Sequence, residues 1–465
     1  MRRINHSFSK KSTLALVLLS VVIVTAGCGG RSNRDKKEVE PELVKSPWVK
    51  TKIIAVTKGG LLSTNVIAVA DKLSESLLHF VYFVDAHEVS EEQSNLPIEY
   101  TLRHLVWDTE APEGESLVST SDIVTLDNTL EFEVAIDNNN TLYTAYRGGN
   151  VAHCNTQQSD TMLAVKATGD SAWQEYVGAI GYSGSRNPAY TDGDAGDYPS
   201  LAIDSNGNVH IAFQFFWEGC DSNNALHPDV LYVQKPAGAL DSFDIASEEH
   251  VEGNDYATTN YQNAVGYHNS LVVDMDDSPV IFYGAREINY NEHGLRVART
   301  VNGLWQSEWV DKGCFITDIS AAISPEGELG VAYSIGECTE HLSYTEDDGY
   351  ALRYAVYSEG EWTVHTVDEA TKIGGHTELA FDNLGSPAIA YYETESYGIG
   401  GQRDLFNLKL ARLDLTNMSW FKQRVDEAGD IGLFNSLWFD IENNIYISSF
   451  SNTDNTVYLF TENNE

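Results

Sequence analysis

The chain has 465 residues, with 29 Lys and Arg against 69 Asp and Glu, and a formal charge of −40. Its length would hold two or three ordinary domains, but its charge argues against nucleic acid as a partner. A polyanionic polysaccharide would need a local basic pocket or a bridging metal.

The amino terminus carries Arg2, Arg3, Lys10 and Lys11, then an apolar run over 14–24, then Thr25-Ala26-Gly27-Cys28. Basic residues, a short apolar core and small residues form a secretory signal, too short to span a bilayer. Small residues directly before a Cys resemble a bacterial lipobox. That resemblance implies a signal peptide over 1–27 and a lipid on Cys28. Thr25 stands where Leu is usual, so the alternative is an ordinary signal cleaved near Ala26. Gly29 is not the Asp that, by the same resemblance, retains a lipoprotein in the inner membrane, so an outer-membrane address follows. Residues 28–47 mix charges with Gly, Ser and Pro without periodicity, as a flexible tether does.

From residue 48 onward one pattern governs the chain. Its clearest copy is SLAIDSNGNVHIAF at 200–213, two alternating apolar runs around an Asp-led turn. Six more copies begin at Asn65, Leu130, Ser270, Ser320, Glu378 and Ser436. Period-two apolar positions bounded by Asp, Asn and Gly are strand and hairpin signals. Successive copies start about 50 to 70 residues apart, room for two further strands each. LRYAVYSEGEWTVHTVDEA after the fifth copy and NLKLARLDLTNMSWFKQRVDEAG after the sixth supply them. Four antiparallel strands per unit, seven units in all, predict an all-β, seven-bladed β-propeller over 48–465.

After the seventh copy only NTVYLFT remains, so the last blade lacks its outermost strand. The segment WVKTKIIAVTKGG from Trp48 is similar to the outer-strand segments from Trp362 and Trp420. It is expected to complete the last blade and remove an open sheet edge.

The hairpins resemble those of the NHL and streptogramin-lyase type of bacterial propeller, in which a D-x-x-G turn joins the two inner strands. The Asp-box motif of sialidases is not found. In the turns Asp is read as a cap on its own backbone rather than a calcium ligand, since Ser324 fills the same place in the fifth copy.

The opposite loops are longer, irregular and rich in Tyr, His, Asp, Asn and Arg, above all in blades 2 to 4, at 146–160, 181–198, 216–229, 253–268 and 284–294. Function concentrates in such loops on a rigid scaffold. His153, Tyr267 and Arg286 are the candidates for acid, base and charge neutralisation, and Arg147, Arg186, Tyr190, Trp217, His227, Tyr256 and His268 for ligand binding. Asp192, Asp194 and Asp197 lie on a Gly-rich run that reads either as a calcium site or as a solvated acidic turn. The remaining cysteines, in an exported chain, suggest disulfides Cys154–Cys220 and Cys314–Cys338. Zinc held by His153, Cys154, Cys220 and His227 is the alternative.

No serine elbow, zinc-protease, phosphate-loop or dinucleotide motif is present. Two readings follow. One is a monomeric, envelope-anchored module that binds a glycan or protein on the loop-bearing face. The other is a polysaccharide lyase or hydrolase using His, Tyr and Arg there, as several seven-bladed lyases do. Their residue pattern does not match this chain position by position.

Overall fold

The computed structural model describes residues 48–55, 66–85, 99–112, 114–127, 131–153, 156–179, 193–217, 227–241, 248–252, 263–287, 292–313, 315–336, 350–370, 372–395 and 405–462. The described residues form seven four-stranded antiparallel sheets. Blades 1 to 6 cover residues 66–127, 132–179, 193–252, 263–313, 316–370 and 372–426. Blade 7 covers 431–462 and takes its fourth strand from Trp48–Ala55. That strand runs antiparallel to Thr456–Glu462, Trp48 opposite Glu462 and Ala55 opposite Thr456. The expected closure is present.

First strands of successive blades lie side by side and the seventh returns to the first, closing a ring around a central channel. Position within the blade sets composition. The second strand Leu329–Gly336 is buried along its whole length, because sheets cover both its faces. The outermost strand Leu304–Gly313 alternates between exposed and partly buried residues. The cores lie between blades: one cluster joins Val280 and Phe282 of blade 4 to Val331, Tyr333 and Ile335 of blade 5.

Each inner hairpin is capped by its first residue. In blade 3, Asp204 Oδ1 accepts from the N–H groups of Asn206 (2.9 Å) and Asn208 (2.8 Å). Asp137, Asp274, Asp382 and Asp440 repeat these two bonds. In blade 5 the Ser324 hydroxyl accepts the same pair, at 3.3 and 3.0 Å. The fourth turn residue is left-handed, with φ of 80° at Gly207, which is why Gly or Asn recurs there.

Two devices hold blade to blade. On the channel wall, Ser200 Oγ accepts the Leu271 N–H (2.7 Å), Ser270 that of Ala321 (3.0 Å), Ser320 that of Leu379 (3.0 Å) and Ser436 that of Ala68 (2.9 Å). Each is a stitch from one blade to the next. Farther out, a buried Tyr and a cation facing it across the sheet share a carboxylate on the preceding blade. Tyr391 OH donates to Asp368 (2.6 Å), which also accepts from Lys409 (2.5 Å) and Lys422 (2.6 Å). Tyr333 and Arg353 do the same with Asp311, and Tyr283 and Arg296 with Glu252.

Candidate functional site

The channel follows from the repeat. The position of the stitching serine is taken in blades 1 to 7 by Ile67, Glu133, Ser200, Ser270, Ser320, Glu378 and Ser436, each four residues before the capping residue of its hairpin. Two residues earlier, toward the loop-bearing face, stand Glu131, Tyr198, His268, Asp318, His376 and Phe434 in blades 2 to 7. The upper level, with Ile67, Glu133, Glu378 and Ser436 of the lower, lines a cavity of about 640 Å³.

Four of the upper residues have left-handed backbones: φ is 49° at Tyr198, 52° at His268, 53° at His376 and 49° at Phe434. Each sits in a register shift between the first and second strands of its blade. Such a bulge re-aims a side chain, and left-handed non-Gly residues cost roughly 1–3 kcal/mol each. The next blade helps to hold them: Asn269 Nδ2 donates to the Tyr198 carbonyl (3.2 Å) and Asn435 Nδ2 to that of His376 (2.7 Å). Gly432, with φ of 116°, admits the bulge in blade 7, since a Cβ there would lie 2.9 Å from the Asn407 carbonyl oxygen.

The result is a mouth walled by rings. Tyr198 and His268 have ring centroids 4.7 Å apart, and His376 and Phe434 4.3 Å. Tyr392 lies edge-on to His376 and stacks on Phe406. Burial lowers His268 to about 4. It does the same to His376, to about 4, although Asp430 pulls the other way. Both imidazoles are therefore neutral at pH 7. Burial, with Glu131 and Asp197 nearby, raises Tyr198 to about 12 and keeps its phenol protonated.

Deeper in the wall are carboxyl groups. Enclosure by the ring raises Glu133 to about 7 against the opposing Val134 N–H. It also raises Asp318 to about 7 against the N–H groups of Thr377 and Ile319. Glu378 is raised further, by enclosure first and then by the charges of Glu133 and Asp318. All three line the lumen, with Glu133 and Asp318 poised near neutrality. Asn269 Oδ1 and Asn435 Oδ1, both sealed from solvent, accept no hydrogen bond from the described residues. The deeper wall thus gathers three carboxyls, those of Glu133, Asp318 and Glu378, around one lumen.

Of the residues expected from the sequence, His268 lines this cavity. Arg147 of blade 2 is ion-paired with Asp197 of blade 3, next to Tyr198. Tyr267 adds to the raising of Tyr198. Arg286 stands apart on blade 4, facing His293 across the sheet and 5.8 Å from the Phe315 ring. His153, Asp194, Trp217 and His227 lie on strands, their side chains outside the described residues. Arg186, Tyr190, Asp192, Tyr256, Cys28, Cys154, Cys220, Cys314 and Cys338 lie outside them altogether. Among the described residues, no three His, Cys, Asp or Glu side chains are placed to hold a metal ion.

Sequence reasoning missed Tyr198, Asp318, His376, Phe434, Glu133 and Glu378. The signal was present: aligning the repeats on their capping residue puts all six in two columns. The emphasis on blades 2 to 4 passed over blades 5 to 7, which supply four of them.

No protein-family model matches the sequence, and no curated protein matches it. Several solved structures are similar to it. The polysaccharide lyase Uly1 is 11% identical, with 85% of this chain and 90% of that one covered and a TM-score of 0.45. An α-L-arabinofuranosidase from Fusarium graminearum in complex with an iminosugar inhibitor is 13% identical, over 72% of this chain and 92% of that one, at 0.44. A protein of unknown function from Dyadobacter fermentans is 11% identical, over 79% and 98%, also at 0.44.

Proposed function

We propose that this propeller binds a glycan at the channel mouth on its loop-bearing face, the ligand being neutral or amino-bearing rather than anionic. The observation that carries the reading is the cavity of about 640 Å³, which joins ring side chains of four blades to a wall bearing the carboxyls of Glu133, Asp318 and Glu378. Rings stack on the apolar faces of sugars, and acceptors take hydroxyl or ammonium donors. The volume suits a few sugar rings better than a protein surface. Arg147, Arg186, Tyr190, Trp217, His227 and Tyr256 are proposed as the rim of the same site, and His268 as part of its wall.

In this reading Cys28 carries the lipid that holds the monomeric protein to the bacterial outer membrane through 28–47. Disulfides Cys154–Cys220 and Cys314–Cys338 brace the loops. A glycan-binding screen, followed by calorimetry, tests the proposal. Tyr198→Ala or His376→Ala should weaken the best ligand about tenfold or more, and unchanged affinity in both would remove the mouth from the site.

One pair of residues favours a second reading. His268 is neutral beside the protonated Tyr198. A base and an acid at that distance suit proton abstraction and leaving-group protonation, the chemistry of a polysaccharide lyase. His153, Tyr267 and Arg286 would then serve the same reaction. The test is ultraviolet absorbance from an unsaturated uronate product, lost in His268→Ala. The absence of product across a broad panel of acidic glycans contradicts it.

A further inference from the structure

We infer that the hairpin face of the ring is turned toward the lipid surface, leaving the channel mouth pointing away from it. The inference goes beyond the ligand proposal and rests on the reading of Cys28 as an anchor. Strand polarity supplies the first observation. Trp48 pairs with Glu462, and that end of blade 7 is the end where the turn led by Asp440 lies. The described chain therefore enters the ring on the hairpin face.

Reach favours the same face. In the anchor reading the 19 residues of 29–47 are the link, and a flexible coil of that length would span about 25 Å. The strand Trp48–Ala55 has 8 residues and by itself rises about 26 Å toward the other face. An anchor at Cys28 holds the hairpin face near the bilayer. It would have to stretch along the flank of blade 7 to bring the mouth down.

The second observation is independent of the tether. Large apolar side chains stand exposed at the turns of this face: Leu73 is 67% exposed, Met275 72%, Leu384 72% and Ile441 75%. Leu73, Leu384 and Ile441 belong to blades 1, 6 and 7, which are neighbours in the ring, with the blade that receives Trp48 at their centre. The turns of blades 6 and 7 are joined, since Asn383 Nδ2 donates to the Ile441 carbonyl (2.9 Å). Leu304 and Met418 add exposed apolar groups at outer turns of the same face. Single apolar side chains projecting from turn tips on a broad face form wedges, not a groove. Wedges suit the headgroup and acyl boundary of a bilayer.

The test uses the chain from Gly29 onward with an amino-terminal hexahistidine in place of the lipid. It is bound to phosphatidylcholine vesicles containing a nickel-chelating lipid, and its release into imidazole is timed. The triple variant Leu73→Ser, Leu384→Ser, Ile441→Ser should be released about tenfold or more faster than the parent, and Ile441→Trp more slowly. Equal rates for all three proteins overturn the inference. So does a triple variant whose only change is loss of a dimer in sedimentation, which would assign the face to a second copy of the chain. Intact mass of the membrane-extracted protein reads acylation of Cys28 separately. An unmodified Cys28 would sink the anchor reading without altering the release comparison.

Discussion

The Ser320 hydroxyl meets Glu378 Oε2 at 3.3 Å while accepting the Leu379 N–H at 3.0 Å. The two residues hold the same repeat position in adjacent blades. Ser320 stitches blade 5 to blade 6, as Ser200, Ser270 and Ser436 stitch theirs. Glu378 stands where the next stitch is expected and instead presents a carboxyl to the channel. The fold accepts Ser at that position, so the Glu is a departure from what the ring requires.

Removing a stitch should cost stability without touching the ligand. In Ser200→Ala the buried Leu271 N–H loses its acceptor, at a cost of about 1–3 kcal/mol. Urea unfolding reads the cost, and affinity for the channel ligand should stay as in the parent protein.

Restoring a stitch should do the opposite. A carboxyl whose folded-state pKa is raised destabilises the ring increasingly as pH climbs from its unfolded value toward its folded one. Glu378 is raised well above its usual value and Glu133 to about 7. Glu378→Ser should therefore raise the melting temperature by roughly a few degrees at pH 8 and by less at pH 5. Equal gains at both pH values would contradict the titration assigned to this group.

The outer seams carry the reverse dependence. Burial alone would raise Asp368, but hydrogen bonds from Lys409, Lys422 and Tyr391 bring it below the ordinary range. Its contribution is present above the unfolded-state pKa and lost as pH falls through the depressed folded one. Asp368→Asn should cost about 3–5 kcal/mol at pH 7. Chemical unfolding at successively lower pH should show that difference shrinking.

Capping predicts a local effect. Asp204 holds the N–H groups of Asn206 and Asn208 and the Asn208 amide, and its Oδ2 lies 3.3 Å from His210 Nε2. Asp204→Ala should cost about 2 kcal/mol or more. Asp382→Ser, which copies the Ser324 cap of blade 5, should cost less than about 1 kcal/mol. Denaturant titration of the two variants separates a cap from a merely acidic turn.

The sequence revealed the ring because its signals are local. Asp204 caps residues two and four positions on, and the alternation around it belongs to one hairpin. The closing strand was legible from the likeness of the Trp48 segment to those at Trp362 and Trp420. The channel was less legible because its members gain meaning only across blades. Nothing beside Glu378 in the chain announces Asp318 or Glu133, yet all three face one lumen. Tyr198, His376 and Phe434 are aimed by bulges, and a bulge is set by pairing with a second strand. Arg147 stood out by type, but type alone did not reveal that it is paired with Asp197.

Calorimetric titration with a glucosamine oligosaccharide tests the central claim most directly, with the N-acetylated and uronic-acid oligosaccharides measured alongside. An ammonium ligand needs Glu133 and Asp318 ionised and its own amine protonated, and the two requirements cross near neutral pH, so affinity for the amino form should pass through a maximum there and fall on either side, while the N-acetylated form shows no such maximum. Tyr198→Ala and Glu133→Gln should each weaken the amino ligand about tenfold or more. Tightest binding of the uronic-acid oligosaccharide, or affinities untouched by both substitutions, would contradict a donor-seeking site at the channel mouth.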